Sequence, residues 1–194
     1  EGYFSHLEGS QGTILHNPGN RGKGYSVKTG VLAARGEWVL MTDSDLSTPI
    51  EEVEKLFPLS QQFPILIGSR GLSASQLEER QPWYREGMGR LFNLMVQLVA
   101  LWGIRDSQCG FKLFRDDAGK AIFEQTTIDG FGFDVECLFL ARKLGYTIGE
   151  VPIRWINDPA SKVDAIRDGA RMAADLVRIR VRHRNATAMR KEQP

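Results

Sequence analysis

The strongest constraint on the fold is an alternation of short apolar runs with helix-like segments across residues 13–69. Thr13–His16, Trp38–Thr42 and Ile65–Ser69 are brief, rich in apolar residues and free of Asp, Glu, Lys and Arg, and so read as buried strands. Gly24–Ala34, between the first two, reads as a helix. Thr48–Phe57 follows the second strand with the residues of a helix start: Thr48 at N-cap, Pro49 at N1 and Glu51 at N3. Strand, helix, strand, helix, strand at this spacing implies an α/β domain, a mostly parallel sheet flanked by helices with right-handed crossovers.

The rest of the chain continues in the same style. Gly71–Pro82 is polar and aperiodic, and reads as a loop or lid. Trp83–Gly103 reads as a long apolar helix carrying Arg90, Asn93 and Gln97 on one face. Phe111–Phe114 reads as a short strand, Asp134–Leu144 as a helix stopped by Gly145, Thr147–Trp155 as a strand and Val163–Arg182 as a closing helix. With 194 residues, 42% of them apolar, the chain is long enough for one domain with a sizeable core.

Charge and cysteine content exclude several functions. A net charge of +1 supplies no global field for nucleic acid. The charge is uneven: residues 167–194 hold eight Lys/Arg against three Asp/Glu. That end suits anionic lipid headgroups or RNA, or is simply a solvated tail, and residues 183–194 are expected to be basic and mobile. Cys109 and Cys137 are far apart with no C-x-x-C spacing. They argue against a zinc site or a disulfide framework, and they read as core residues of a protein in a reducing compartment. The longest apolar stretch, Leu91–Trp102, is broken by Asn93 and Gln97 and is well short of the roughly 20 residues of a spanning helix.

Two local patterns carry chemistry. In Leu40-Met-Thr-Asp43-Ser-Asp45-Leu a buried strand ends and two carboxylates follow, one residue apart. Ligands of open parallel sheets bind at the carboxyl ends of strands, and residues i and i+2 of an extended chain point the same way. The pair is an oxygen-rich site for a hard cation gripping a diphosphate; without that context it is a solvated acidic turn. Asn17-Pro-Gly-Asn-Arg-Gly-Lys23-Gly24 joins a strand to a helix start, where glycines let backbone approach phosphate and the helix N-terminus attracts anions. A plain charged turn is the alternative. A Walker-type P-loop is excluded, because it needs Gly at Asn17 and Ser or Thr at Gly24.

Seven motifs in order then carry a resemblance: Asn20-Arg-Gly-Lys-Gly24, Thr42-Asp-Ser-Asp-Leu-Ser-Thr-Pro49, Gly68-Ser-Arg70, Gly103-Ile-Arg-Asp-Ser-Gln-Cys-Gly-Phe-Lys-Leu-Phe114, Phe133-Asp-Val-Glu136, Val151-Pro-Ile-Arg-Trp155 and Ser161-Lys162. From about Thr13 to about Arg182 the chain resembles the family 2 glycosyltransferases that act on polyprenyl phosphates, in the branch of the dolichyl-phosphate β-glucosyltransferases and their prokaryotic relatives. The resemblance implies a GT-A (nucleotide-diphospho-sugar transferase) fold, a nucleotide-sugar donor with UDP-glucose as the leading candidate, Mg²⁺ or Mn²⁺, and inversion at the anomeric carbon. It implies Asp43 near the ribose and diphosphate, Asp45 on the metal with Asp43 beside it, and Lys23, Lys162 and Gln108 on the donor. Arg70 and Arg85 match the residues that hold an acceptor phosphate. Asp106 falls beside the reacting centre, as a base or as an orienting group for the sugar or an arginine, and Asp134 and Glu136 shape or stiffen the sugar pocket. Trp155 after Arg154 is similar to the R-W pair of processive synthases, but the preceding Gln is absent, which favours single transfer.

The partners implied are a nucleotide-sugar and a polyprenyl or dolichyl phosphate, met at the cytoplasmic face of a membrane by peripheral contact, with no nucleic acid. Interfacial docking of Trp83–Gly103 and of the Arg167/Arg171/Arg178/Arg182 face competes with core burial of the first and simple solvation of the second. In the resembling enzymes further strands precede the one expected at Thr13. The sequence therefore reads as a single glycosyltransferase domain over 1–194 truncated at its N-terminus, and the isolated chain is expected to be inactive or nearly so. The alternatives are a GT-A transferase with another donor sugar or acceptor, and a non-catalytic membrane-associated fragment.

Overall fold

The computed structural model describes residues 12–77, 83–156 and 165–186. Its elements are α1 (Lys23–Ala33), β1 (Trp38–Met41), α2 (Val53–Leu56), β2 (Ile65–Ser69), β3 (Gln76–Leu77), α3 (Trp83–Val99), β4 (Lys112–Arg115), α4 (Asp116–Phe123), α5 (Phe133–Lys143), β5 (Ile148–Pro152), β6 (Arg154–Trp155) and α6 (Ala165–Arg182). Four strands form one sheet in the order β1-β4-β2-β5, and β3 and β6 pair in a second.

The sheet is mixed in a specific way. β4 runs antiparallel to both β1 and β2, and β2 runs parallel to β5. β1, β2 and β5 therefore share one direction, as the sequence pattern predicts, and the reversed strand is the one inserted between β1 and β2. The consequence is functional: the segments leaving β1 and β2 emerge at the same edge of the sheet. β2 is buried along its whole length, as expected of a strand covered on both faces. Alternation sends Ile65, Ile67 and Phe114 into the larger core with α1, α3, α4, α5 and α6, and Leu66 and Leu113 into the smaller core with Leu56, Phe111, Val151 and Ile153.

Several expectations are corrected. Thr13–His16 forms no strand: no described strand pairs with it, and Ile14 and Leu15 face solvent. Thr48 makes no capping bond. Pro49 takes the cap position of a 3-10 turn, Ile50–Glu52, before α2. Glu52, not Glu51, is recruited, accepting from the Arg154 N–H at 3.0 Å and from Lys55 at 2.6 Å. The lid segment contains β3, paired in parallel with β6, while residues 78–82 lie outside the described residues. α3 ends at Val99 rather than Gly103, where the Ala100 and Leu101 N–H groups both close on the Val96 carbonyl. α4 was not anticipated: its eight residues follow β4 without a spacer. The tail proposed for 183–194 is described only to Ala186, and His183 there is buried.

Candidate active site

Asp43 leaves β1 at the shared edge, half-exposed, and its Oδ1 lies 2.6 Å from the Lys23 ammonium. Lys23 is the first residue of α1, so the glycine-basic loop and the acidic pair meet as one locus. Gly110 closes the other side, since a Cβ there would overlap the Asp43 carboxylate. Asp45 is exposed; its Oδ1 accepts from the Ser47 N–H at 3.0 Å, and the intervening Leu46 sits at φ 50°. Two carboxylates, one ion-paired and one solvent-facing, fit a hard divalent cation whose remaining ligands come from diphosphate and water. No cluster of three or more acidic, His or Cys side chains suited to a metal occurs among the described residues.

Arg70 leaves β2 at the same edge and is clamped by Asp106. Its Nε and Nη2 donate to the two carboxylate oxygens at 2.7 and 2.9 Å, and its backbone N–H donates to Oδ2 at 2.9 Å. Glu150 in turn holds the 105–106 turn, accepting from the Arg105 and Asp106 N–H groups at 2.9–3.1 Å. Burial opposes both charges, but the pairing outweighs it: Arg70 is held above its ordinary range and Asp106 below the usual carboxylate range. A carboxylate so held is a poor proton acceptor and a good clamp. The Arg70 guanidinium also lies 5.4 Å from the Trp155 ring.

Between these loci lies an ion pair that the sequence reading missed. Lys112, fully enclosed on β4, bonds Asp134 and donates to the Cys109 carbonyl at 2.5 Å. Burial would lower its amine, and the adjacent Asp134 charge outweighs that and holds it up. The available signal was a lysine inside the apolar run Phe111–Phe114, a charge that needs a buried partner. Asp134 is 3% exposed and lies close enough to Lys23 and Asp43 to feel their charges. Glu136 is fully buried and is bonded by the Thr127 and Ile128 N–H groups, the Thr127 hydroxyl and the His183 ring.

Other expected residues border this cluster or lie outside the described residues. Gln108 is half-buried and reaches the Met172 sulfur at 3.7 Å. Lys162 and the Arg85 side chain lie outside the described residues. Both cysteines are buried, and burial pushes Cys109 up to about 11 and Cys137 up to about 12, which leaves them thiols. A cavity of about 620 Å³ opens in front of the glycine-basic loop, between Asn17–Lys23 and Arg171, Met172 and Asp175 of α6. A larger one, about 800 Å³, lies between Thr127–Gly130 and α6 and touches neither aspartate of the acidic pair.

Comparison with known proteins adds the following. The sequence model described as Glycosyl transferase family 2 matches residues 1–123. The chain is 36% identical over 187 residues to a dolichyl-phosphate beta-glucosyltransferase of Dictyostelium discoideum, covering 93% of this chain and 57% of that protein. It is 36% identical over 171 residues to the enzyme of the same name from Mus musculus, covering 84% and 53%. It thus spans little more than half the length of these relatives. Among solved structures, glucosyl-3-phosphoglycerate synthase from Mycobacterium tuberculosis, in complex with Mn²⁺, UDP and phosphoglyceric acid, superposes with a TM-score of 0.56 at 15% identity over 91% of this chain and 57% of that one. The shared fold is GT-A.

Proposed function

Because the chain belongs to glycosyl transferase family 2, we propose that it forms the catalytic-domain part of an enzyme that moves glucose from UDP-glucose onto a dolichyl or other polyprenyl phosphate, with inversion. The observation that carries this reading is the placement of Asp43–Lys23 and Arg70–Asp106 beyond two co-directional strands at one sheet edge. A donor diphosphate needs cations and N–H groups, and an acceptor phosphate needs a fixed arginine; the edge offers both sets.

The division of labour follows from charge. A divalent cation on Asp43 and Asp45, Mg²⁺ or Mn²⁺, would supply neutralisation of the departing diphosphate. Lys23, and Lys162 from outside the described residues, would add positive charge to the same group. The attacking group, a phosphate monoester with a second pKa near 6, is already mostly dianionic at neutral pH, so no strong general base is required. Asp106 accordingly serves as the clamp that aims Arg70 at the acceptor phosphate, with Arg85 as a second contact. Lys112 fixes Asp134 as the floor of the sugar pocket. The cited relatives bear the name of this activity, and the superposed synthase binds Mn²⁺ and UDP.

Contact with the lipid acceptor would be peripheral, at the cytoplasmic face. No described helix is long and apolar enough to cross a membrane. Phe92 and Val96 of α3 enter the core, while Leu91, Leu94 and Leu98 on the opposite side and Trp102 beyond it stay exposed. On α6, Val177 and Val181 are exposed beside Arg178 and Arg182, a mixture suited to an anionic lipid surface. The test is transfer of radiolabelled glucose from UDP-glucose with Mn²⁺ by a protein that carries this chain together with the strands preceding it in the resembling enzymes, offering dolichyl phosphate and 3-phosphoglyceric acid as competing acceptors. Label in the lipid fraction that disappears with chelator is expected; label on the soluble acceptor instead would contradict the lipid assignment.

A further inference from the structure

Glu136 is fully buried, and protein groups engage both of its carboxylate oxygens. Its Oε2 accepts from the Thr127 and Ile128 N–H groups, each at 2.9 Å. Its Oε1 accepts from the Thr127 hydroxyl at 2.7 Å and meets the His183 ring, at the end of α6, at 2.7 Å. No lone pair is left for a sugar hydroxyl at ordinary geometry, so this carboxylate is spent on fixing the turn 127–130.

That turn is what the start of α1 packs against. A Cβ on Gly22 would overlap the Asp129 carbonyl, and one on Gly24 the Ile128 carbonyl; Gly22 also sits at φ +101°. The Tyr25 N–H donates to the Asp129 carbonyl at 3.3 Å, and Arg21 pairs with the Asp129 side chain at 3.1 Å. Lys23 stands between the two glycines with its amine on Asp43. Contact this close leaves α1 no room to move independently of the turn. We propose that Glu136 is a positioning residue: through the 127–130 turn it sets where Lys23 and the glycine-basic loop present themselves to a nucleoside diphosphate.

This rests on the donor-site reading above, so the experiment reads two quantities separately. Amide hydrogen exchange at Tyr25 reports whether Glu136 holds the start of α1, and calorimetric UDP binding in Mn²⁺ reports whether that hold reaches the ligand. In Glu136→Gln the new amide faces N–H donors that the carboxylate accepted. Exchange at Thr127, Ile128 and Tyr25 is expected to accelerate while β2 amides stay unchanged, and UDP affinity to fall about tenfold, as for other groups that orient a ligand-binding residue. Acceleration confined to Thr127 and Ile128, or unchanged UDP affinity beside a wild type that binds UDP, overturns the proposal. If the wild type binds no UDP, the donor reading fails, and Tyr25 exchange still decides the role of Glu136. Should Glu136→Gln not fold, Thr127→Val, which removes one hydroxyl donor, is read by the same two outcomes with a smaller shift.

Discussion

The two ends of the site are built differently. At the end proposed for the acceptor, Arg70 and Asp106 make two side-chain bonds and one backbone bond to each other, with Asp106 buried and the 105–106 turn anchored by Glu150. At the end proposed for the donor, Asp43 is ion-paired with Lys23 at half exposure, and Asp45 faces solvent. One end is rigid before any ligand arrives; the other keeps carboxylate oxygens available for a cation. This suits a reaction in which a fixed arginine aims the nucleophile while a metal and diphosphate complete the opposite half.

Breaking the open end should separate activity from stability most sharply. In the same longer protein, Asp45→Ala is expected to lower glucosyl transfer about a hundredfold or more, while stability from denaturant unfolding changes by no more than about 0.5 kcal/mol, as for other exposed positions. Equal loss of stability and activity would mean that Asp45 is structural. Breaking the rigid end should cost both. Arg70→Lys is expected to lower transfer by about tenfold to a hundredfold, because an ammonium cannot reproduce the fork. It should also destabilise the fold by about 1–3 kcal/mol through the poorly paired Asp106; retained activity would show that the bidentate clamp is dispensable.

Smaller effects sharpen the contrast. Leu94→Ser, on the exposed side of α3, should lower partition onto anionic liposomes about fivefold without moving solution transfer to a short-chain acceptor; unchanged partition removes α3 from the lipid surface. The smallest effect is on acid stability. Asp106 is depressed in the folded chain, so its contribution is complete above its unfolded value of about 3.9. It is lost as pH falls through the folded value. The Asp106→Asn variant should therefore show a flatter acid limb in thermal unfolding below about pH 4, and superimposable profiles would mean that the pair does not form in solution.

What could be read from sequence divides along the same line as the site. Local signals sufficed where one element decides the outcome: the ends of β2, the extents of α1 and α5 within a residue, and the strand-end position of Asp43 follow from apolar runs and the residues that bound them. They failed where a distant partner decides. Thr13–His16 has strand composition and no described neighbour to pair with. The Thr48-Pro-Ile-Glu51 cap gives way to a 3-10 turn whose Glu52 accepts from the Arg154 N–H, 102 residues away. The reversal of β4 is invisible in a pattern that looks alike in both directions. Asp106 was legible as important and ambiguous in role, because its clamp on Arg70 spans 36 residues of chain. Whether Glu136 shapes the sugar pocket or stiffens its wall was open in the sequence, because its partners come from the 127–128 turn and from His183 after α6, eight to 47 residues away.

The most direct test is a calorimetric titration of UDP into the chain in Mn²⁺ and in chelator, repeated for Asp45→Ala. Saturable binding that requires the metal and is lost in the variant is the expected result. Metal-independent binding, or binding that survives loss of Asp45, would contradict the claim that the acidic pair at the end of β1 holds the cation under the departing diphosphate.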